Sequence, residues 1–376
     1  LVGSEMCIRD SYYIISHTSN VVNIQNAKNN WKLLVLINKR FLLRGGKFMF
    51  KIMGKLSGRK KLTLKEIGDL WLQSKKLNVK ESSYCNYKRN LEDHIYPVIG
   101  DLKYSLITKQ QLNDFVEYLM VSGRKDGKGG LSKGTVKDIV TLLKSVSKFA
   151  YQEYGLQNVC EGFKASKIKK NEIQVLSNIE RKKLETYLLS NVNLSNICTL
   201  LSLYTGLRIG EVCGLKWEDI DFKKGCISVN KTVERISLGN GKTKVVVGDP
   251  KTESSIRKVY VPTFIIELLK DHKKSSDLFV LSGKQNPTEP RTLQYRFEKI
   301  LKSAGIREMK FHSLRHTYAT ICIEKGVDIK TLSELLGHSD VKITLNTYVH
   351  SSDKLKRKYV KPVSYTHLTL PTILRV

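Results

Sequence analysis

The chain has 376 residues, room for two or three domains, and its 65 Lys and Arg against 35 Asp and Glu give a formal net charge of +30. That balance points to a polyanionic partner, and no apolar run approaches the roughly 18 residues of a membrane-spanning helix. Seven cysteines, an odd number without a C-x-x-C pair, argue against a disulfide framework and for free thiols in a reducing cytoplasm.

Residues 1–10 and 362–376 read as foreign to the rest. Met6-Cys7-Ile8-Arg9-Asp10, written ATG TGT ATA AGA GAC, has the reverse complement GTC TCT TAT ACA CAT, which encodes Val363-Ser364-Tyr365-Thr366-His367. An inverted copy of one DNA sequence at both ends is the mark of translated adapter sequence, so neither tail is expected to carry function. Within the unassigned stretch 11–59, residues 11–48 read as a non-native leader translated from upstream DNA, with the true start at Met49 or Met53; a short basic amphipathic helix is the alternative. Without these stretches the chain is still strongly basic.

Residues 60–160 have helical periodicity. Thr63 and Glu66 form a capping box ahead of Leu64, Ile67, Leu70 and Trp71. Tyr84, Tyr87, Leu91 and Ile95 line a second helix, which Pro97 and Gly100 are expected to stop. Thr108 opens a third, with Leu112, Phe115, Val116, Leu119 and Met120 on one face. After a basic Gly-rich loop at 123–130, Val136, Ile139, Val140, Leu143, Val146 and Phe149 stripe a fourth. The expectation is a four-helix domain whose Lys80, Lys88, Arg89, Lys133 and Lys137 meet phosphates, although any one of them alone reads as an ordinary solvated lysine or arginine.

Residues 161–176, with Lys164, Lys167, Lys169 and Lys170, read as a basic linker, and Ser177 with Glu180 caps the first helix of a second domain over 177–361. A helix at 196–204 leads into Gly206 and Arg208. Glu211 reads either as an orienter of Arg208 or as a surface carboxylate. Segments 226–230, 232–236, 244–247 and 256–261 have strand composition and predict a small antiparallel sheet. Gly241-Lys242-Thr243 is no phosphate-binding loop, because position 236 is Ile where that motif needs Gly; Gly239-Asn240-Gly241 reads as a hairpin turn. Helices are expected at 264–270 and 293–304.

The segment 311–350 carries the chemistry. It holds His312, Arg315, His338 and Tyr348, a set suited to a phosphodiester, whose charged oxygens must be neutralised by fixed donors before a nucleophile can approach. His312 and Arg315, three apart, share a helix face. A phenol such as Tyr348 can form a phosphate ester that keeps the energy of the broken bond, although a tyrosine near a helix end is more often core with a satisfied hydroxyl. His312 and His316, four apart, have the spacing of a helical zinc pair, but no Cys or third His stands with them, so no metal is expected. Leu332, Leu335 and Leu336 predict a short helix ending at Gly337, which sets His338 at its end.

Taken in order, Thr205-Gly206-Leu207-Arg208-Ile209-Gly210-Glu211, Lys251 in Pro250-Lys251-Thr252, His312-Ser313-Leu314-Arg315-His316, Leu336-Gly337-His338 and Tyr348 resemble the motifs of the tyrosine recombinases, or phage integrases. The resemblance spans residues 175–350 by motif and 60–160 by architecture. It implies a mainly α fold with a small antiparallel β-sheet, made of a helical, SAM-like core-binding domain and a mixed α+β catalytic domain. The activity it implies is site-specific DNA recombination through a 3′-phosphotyrosine, for integration or excision of a mobile element.

By the same resemblance Tyr348 is the nucleophile, Arg208 and Arg315 hold the non-bridging oxygens and His338 donates beside them. His312 assists proton transfer at the nucleophile, and Lys251 is the general acid, with Lys242, Lys244 and Lys258 as its competitors. The implied partners are double-stranded DNA carrying attachment or recombination sites, further protomers in a homotetrameric synaptic complex, and an excisionase or DNA-bending accessory protein. No cofactor and no membrane are expected, the expected location is the cytoplasm, in association with the nucleoid, for a protein of bacterial or phage origin, and the basic tail at 354–361 is expected to dock on a neighbouring protomer. A type IB topoisomerase-like enzyme and a catalytically silent DNA-binding regulator are the alternative readings.

Overall fold

Residues 62–163, 173–239, 242–250 and 252–348 are described by a computed structural model. The expected adapter tails, the leader, the centre of the basic linker, the turn at 240–241, Lys251 and the basic tail lie outside them. The described residues group into two units, one of 62–78 and 87–163 and one of 79–86 and 173–348.

The first unit is helical. Helix α1 (Leu64–Lys75) opens with the expected capping box, in which the Thr63 hydroxyl accepts from the Glu66 amide at 3.2 Å and the Glu66 carboxylate accepts from the Thr63 amide at 2.9 Å. Helix α2 (Glu81–Asn90), of which only the part from Tyr87 belongs to this unit, buries none of its residues; the apolar anchors of this stretch are Leu91 and Ile95, in a π-helical turn at Leu91–Ile95 that runs on into α3 (Tyr96–Ile99). Pro97 therefore does not stop the helix as expected. Its ring would clash with the carbonyl of Asp93 in a regular helix, and the wider i to i+5 turn just ahead relieves that clash. Of the two expected stops, Gly100 is the one that ends the helix.

Thr108 caps α4 (Lys109–Ser122) with a second reciprocal box, this time with Gln111. Helix α5 (Lys133–Tyr154) ends at Gly155, whose φ of 65° closes the C-terminus. Helix α5 packs on α1 and α4, burying Val136, Ile139, Val140, Leu143 and Val146 as the apolar stripe predicts, while Phe149, the last residue of that stripe, is only half-buried. Lys88, Arg89, Lys133 and Lys137 are exposed on α2 and α5.

In the second unit α6 (Asn178–Ser190) starts from the Ser177–Glu180 capping box and packs on α7 (Leu194–Thr205), nearly all of which is buried. Gly206 ends α7 at φ 68°, and Arg208 is the N-cap of the short α8 (Ile209–Gly214). The described strands form two antiparallel sheets. One has the order β1 (Ile220–Asp221), β2 (Cys226–Val229), β5 (Arg257–Tyr260); the other is the hairpin of β3 (Thr232–Gly239) and β4 (Lys242–Gly248). A single sheet was expected, and β1 was not. Its two residues are too few for an alternating pattern to register in sequence.

Helices α9 (Thr263–Asp271), α10 (Pro290–Ser303), α11 (His312–Glu324), α12 (Ile329–Leu336) and α13 (Val341–Tyr348) complete the unit. Helix α7 packs against α6, α9, α10 and α11, around a core containing Leu201, Trp217, Ile227, Phe297 and Leu314. A smaller cluster of Ala319, Ile323, Leu332, Leu336 and Tyr348 joins α11, α12 and α13. The described part of the molecule is thus mainly α with small antiparallel sheets. No described helix is long and apolar enough to cross a membrane.

Candidate active site

Helix α12 organises the site through its end. The last carbonyls of a helix have no partner within it and carry the negative end of its dipole, so they attract cations. Three successive carbonyls here each take a different arginine. Leu335 O accepts from Arg257 Nε at 2.7 Å, Leu336 O from Arg315 Nη2 at 2.7 Å and Gly337 O from Arg208 Nη2 at 3.0 Å. Arg315 is bound a second time, its Nη1 donating to Gly206 O at 2.8 Å, so the left-handed glycines after α7 and α12 both present carbonyls to the cluster.

One carboxylate balances these charges among the described residues. Glu211, 5% exposed, accepts from Arg208 Nη1 at 2.7 Å and from Arg257 Nη1 and Nη2 at 3.1 and 3.0 Å. It also accepts from the Arg208 backbone amide at 3.0 Å, which ties the start of α8 to the same group. Of the two readings of Glu211, the structure selects the orienter. Burial raises its carboxyl, but the bonds and charge of Arg257, followed by the charge of Arg208, hold it below the ordinary glutamate range. Three guanidiniums against one carboxylate leave positive charge in excess. Each guanidinium has five N–H groups, and the bonds to Arg208 and Arg315 use two apiece, so forks remain for another anion.

Burial, then the Arg208 charge, draws the 1%-exposed Arg315 down to about 9, which still leaves it a cation at neutral pH. Among the histidines, His338 Nδ1 lies 2.8 Å from Thr344 Oγ1, a contact that fixes the ring. Burial, then Arg315, Arg208 and Arg257, push His338 down to about 4. His312 is exposed at the surface, yet desolvation beside the cluster, followed by the charges of His316, Arg315 and Arg208, also takes it to about 4. Both rings are therefore neutral hydrogen-bonding groups at pH 7 and would gain protons readily beside an anion.

Tyr348, at the end of α13, is 4% exposed and packs in the small cluster with Leu332 and Leu336. Its hydroxyl lies 2.8 Å from His316 Nδ1. Burial raises the phenol, while Arg315 and then Arg208 pull it the other way. Of the six residues that the sequence singles out, five thus converge around the ends of α7 and α12. Lys251 lies outside the described residues.

Three residues of the cluster have no role in the sequence reading. Arg257 was legible only as a strand residue, but it stands two before buried Val259 on β5, and a charge on the buried face of a strand needs a partner. Thr344 is four before Tyr348 and shares its helix face. His316 stood in the motif and in the rejected zinc pair; its ring meets His312 edge-on with centroids 4.6 Å apart.

A model of the phage integrase family matches residues 167–354, and one of the phage integrase N-terminal SAM-like domain matches 63–120. The tyrosine recombinase XerC-like protein of Caldanaerobacter subterraneus subsp. tengcongensis is 33% identical over 313 residues, covering 76% of each chain. The ICEBs1 integrase of Bacillus subtilis is 26% identical over 295 residues, 75% of this chain and 77% of its own. Among solved structures, the Tn1549 transposon integrase in complex with transposon right end DNA aligns over 81% of this chain and 100% of that one, with a TM-score of 0.65 at 19% identity, a likeness of fold. The motifs and these matches together make the chain a member of the phage integrase family, a tyrosine recombinase.

Proposed function

We propose that this chain cuts and rejoins duplex DNA through a 3′-phosphotyrosine, in the integration or excision of a mobile element. The Tyr348 oxygen attacks the scissile phosphorus, and the bond from phosphorus to the 5′-oxygen breaks. Arg208 and Arg315 neutralise the non-bridging oxygens, His338 donates beside them, and Lys251 protonates the departing 5′-oxygen. The ester to Tyr348 keeps the energy of the broken linkage, so attack by a 5′-hydroxyl from a second duplex reseals the strand without an external energy source. Residues 60–160 act as the core-binding domain and 177–361 as the catalytic domain. The partner is duplex DNA carrying attachment sites, four protomers exchange two duplexes, and an excisionase or DNA-bending protein sets direction.

The observation that carries this reading is the excess of guanidinium charge anchored on the end of α12, around a phenol that feels two of those cations. That arrangement suits a nucleophile meeting a phosphodiester better than it suits a packing tyrosine. Mobile-element use draws on the integrases among the relatives. A duplex nicked near the scissile position, made from DNA flanking the gene, tests the reading, because loss of the short 5′-hydroxyl strand prevents resealing. The expected result is a covalent protein–DNA species with the unaltered chain and none with Tyr348→Phe, which still binds DNA. An adduct that survives Tyr348→Phe would overturn the assignment.

A further inference from the structure

Resting on the reading of Tyr348 as nucleophile, we propose that His316 is the general base that takes the phenol proton in the cleavage step. The motif comparison gives this task to His312. The geometry gives it to the other histidine, one helical turn on: His316 Nδ1 and the Tyr348 hydroxyl oxygen are 2.8 Å apart, and the two rings lie 5.5 Å apart at 57°. His312 meets His316 edge to face and is exposed at the surface.

Position and protonation fit the role. Among the described residues, the groups facing His316 are His312 and Arg315 on its own helix and Tyr348 on α13. Burial, then the charge of Arg315, holds His316 below the ordinary histidine range, so at neutral pH the ring has a free lone pair, while burial keeps the phenol protonated. With the imidazole hydrogen on Nε2, Nδ1 accepts the hydroxyl. As the phenol oxygen bonds to phosphorus, its proton passes to Nδ1 and the bond to the 5′-oxygen breaks, that oxygen leaving with a proton from Lys251. The imidazolium then stands beside the phosphate, whose charge stabilises it. On resealing, the attacking 5′-hydroxyl returns its proton to Lys251, and the phenol oxygen leaves phosphorus and takes its own proton back from Nδ1, so neither group is consumed.

The test is the single-turnover rate of adduct formation on the nicked duplex, followed across pH, with DNA affinity measured in parallel. Positioned general bases contribute about 10²- to 10⁴-fold. His316→Ala is expected to lose a factor in that range at neutral pH with DNA affinity unchanged. The deficit should shrink as pH rises and the phenol ionises unaided, whereas the unaltered chain, with His316 already neutral, levels off near neutrality. His316→Gln, which fills the space and accepts a hydrogen bond without taking a proton, should show the same deficit with unchanged thermal unfolding. Replacing Tyr348 by a fluorotyrosine, a more acidic phenol, should restore His316→Ala far more than it changes the parent.

A full rate in both His316 variants would overturn the proposal, and so would a deficit that is constant with pH and unmoved by fluorotyrosine. Either result leaves Tyr348 as the nucleophile. A covalent adduct in Tyr348→Phe would instead remove the reading on which the proposal rests.

Discussion

Arg257 grips Glu211 with both ends of its guanidinium, at 3.1 and 3.0 Å, and the two side chains are only 7% and 3% exposed. Glu211 in turn holds Arg208, so a residue of β5 positions an arginine at the start of α8. Removing one member of a buried pair strands the other charge and costs about 3–5 kcal/mol. Arg257→Ala is expected to lower stability by about that much in denaturant unfolding and to slow DNA cleavage. Arg257→Lys keeps the charge without the fork and should fall between. Unchanged unfolding in Arg257→Ala would show that the pair does not anchor the site.

Gly337 ends α12 at φ 64°, and an added Cβ would come within 3.0 Å of Arg257 Nη1 and 3.1 Å of Ser254 O. Its carbonyl also accepts from Arg208. Gly337→Ala is expected to cost about 1–2 kcal/mol from the left-handed backbone alone, with a further loss from the crowded guanidinium. Adduct formation should fall by more than the stability change explains. A variant equal to the parent in both assays would mean that the turn relaxes freely.

The local features of the fold were legible because their causes lie within a few residues. The boxes at Thr63–Glu66 and Ser177–Glu180, the stripe of α5 and the stop at Gly337 each follow from near neighbours. What sequence could not supply depends on distant partners. Pro97 reads as a helix stop until the π turn ahead of it is known, and Arg257 is an ordinary strand residue until Glu211, 46 positions away, is found against it. In the site, the motifs singled out Arg208, His312, Arg315, His338 and Tyr348, which the fold brings together. The hydrogen bonds that define the chemistry, His316 to Tyr348 and Thr344 to His338, run between helices or around a turn and leave no periodic trace.

Thr344 is fully buried, and its hydroxyl is 2.8 Å from His338 Nδ1. Donation by the hydroxyl to Nδ1 leaves the imidazole hydrogen on Nε2, the nitrogen available to a phosphate. Thr344→Val keeps the shape and removes the bond, worth about 1 kcal/mol, so cleavage is expected to slow by roughly fivefold to tenfold with DNA affinity little changed. Single-turnover cleavage set against binding separates the two, and an unchanged cleavage rate would show that His338 is held in some other way.

His312 and His338 are both held at about 4 in the folded chain, below the ordinary 6.5. Between those values the unfolded chain binds protons that the folded chain does not, so the stability present above about pH 6.5 is lost progressively as pH falls toward 4. Inorganic phosphate, an anion that raises both histidines, should blunt the loss. Urea unfolding at neutral and mildly acidic pH, with and without phosphate, measures this. Stability that is flat across the window would contradict the neutral histidines.

The most direct measurement of the central claim is to digest the trapped protein–DNA adduct and identify by mass spectrometry the residue that carries the nucleotide. A 3′-phosphate esterified to the Tyr348 oxygen is the predicted result. A nucleotide on any other side chain, or no covalent nucleotide on a chain that has cut the substrate, would contradict it.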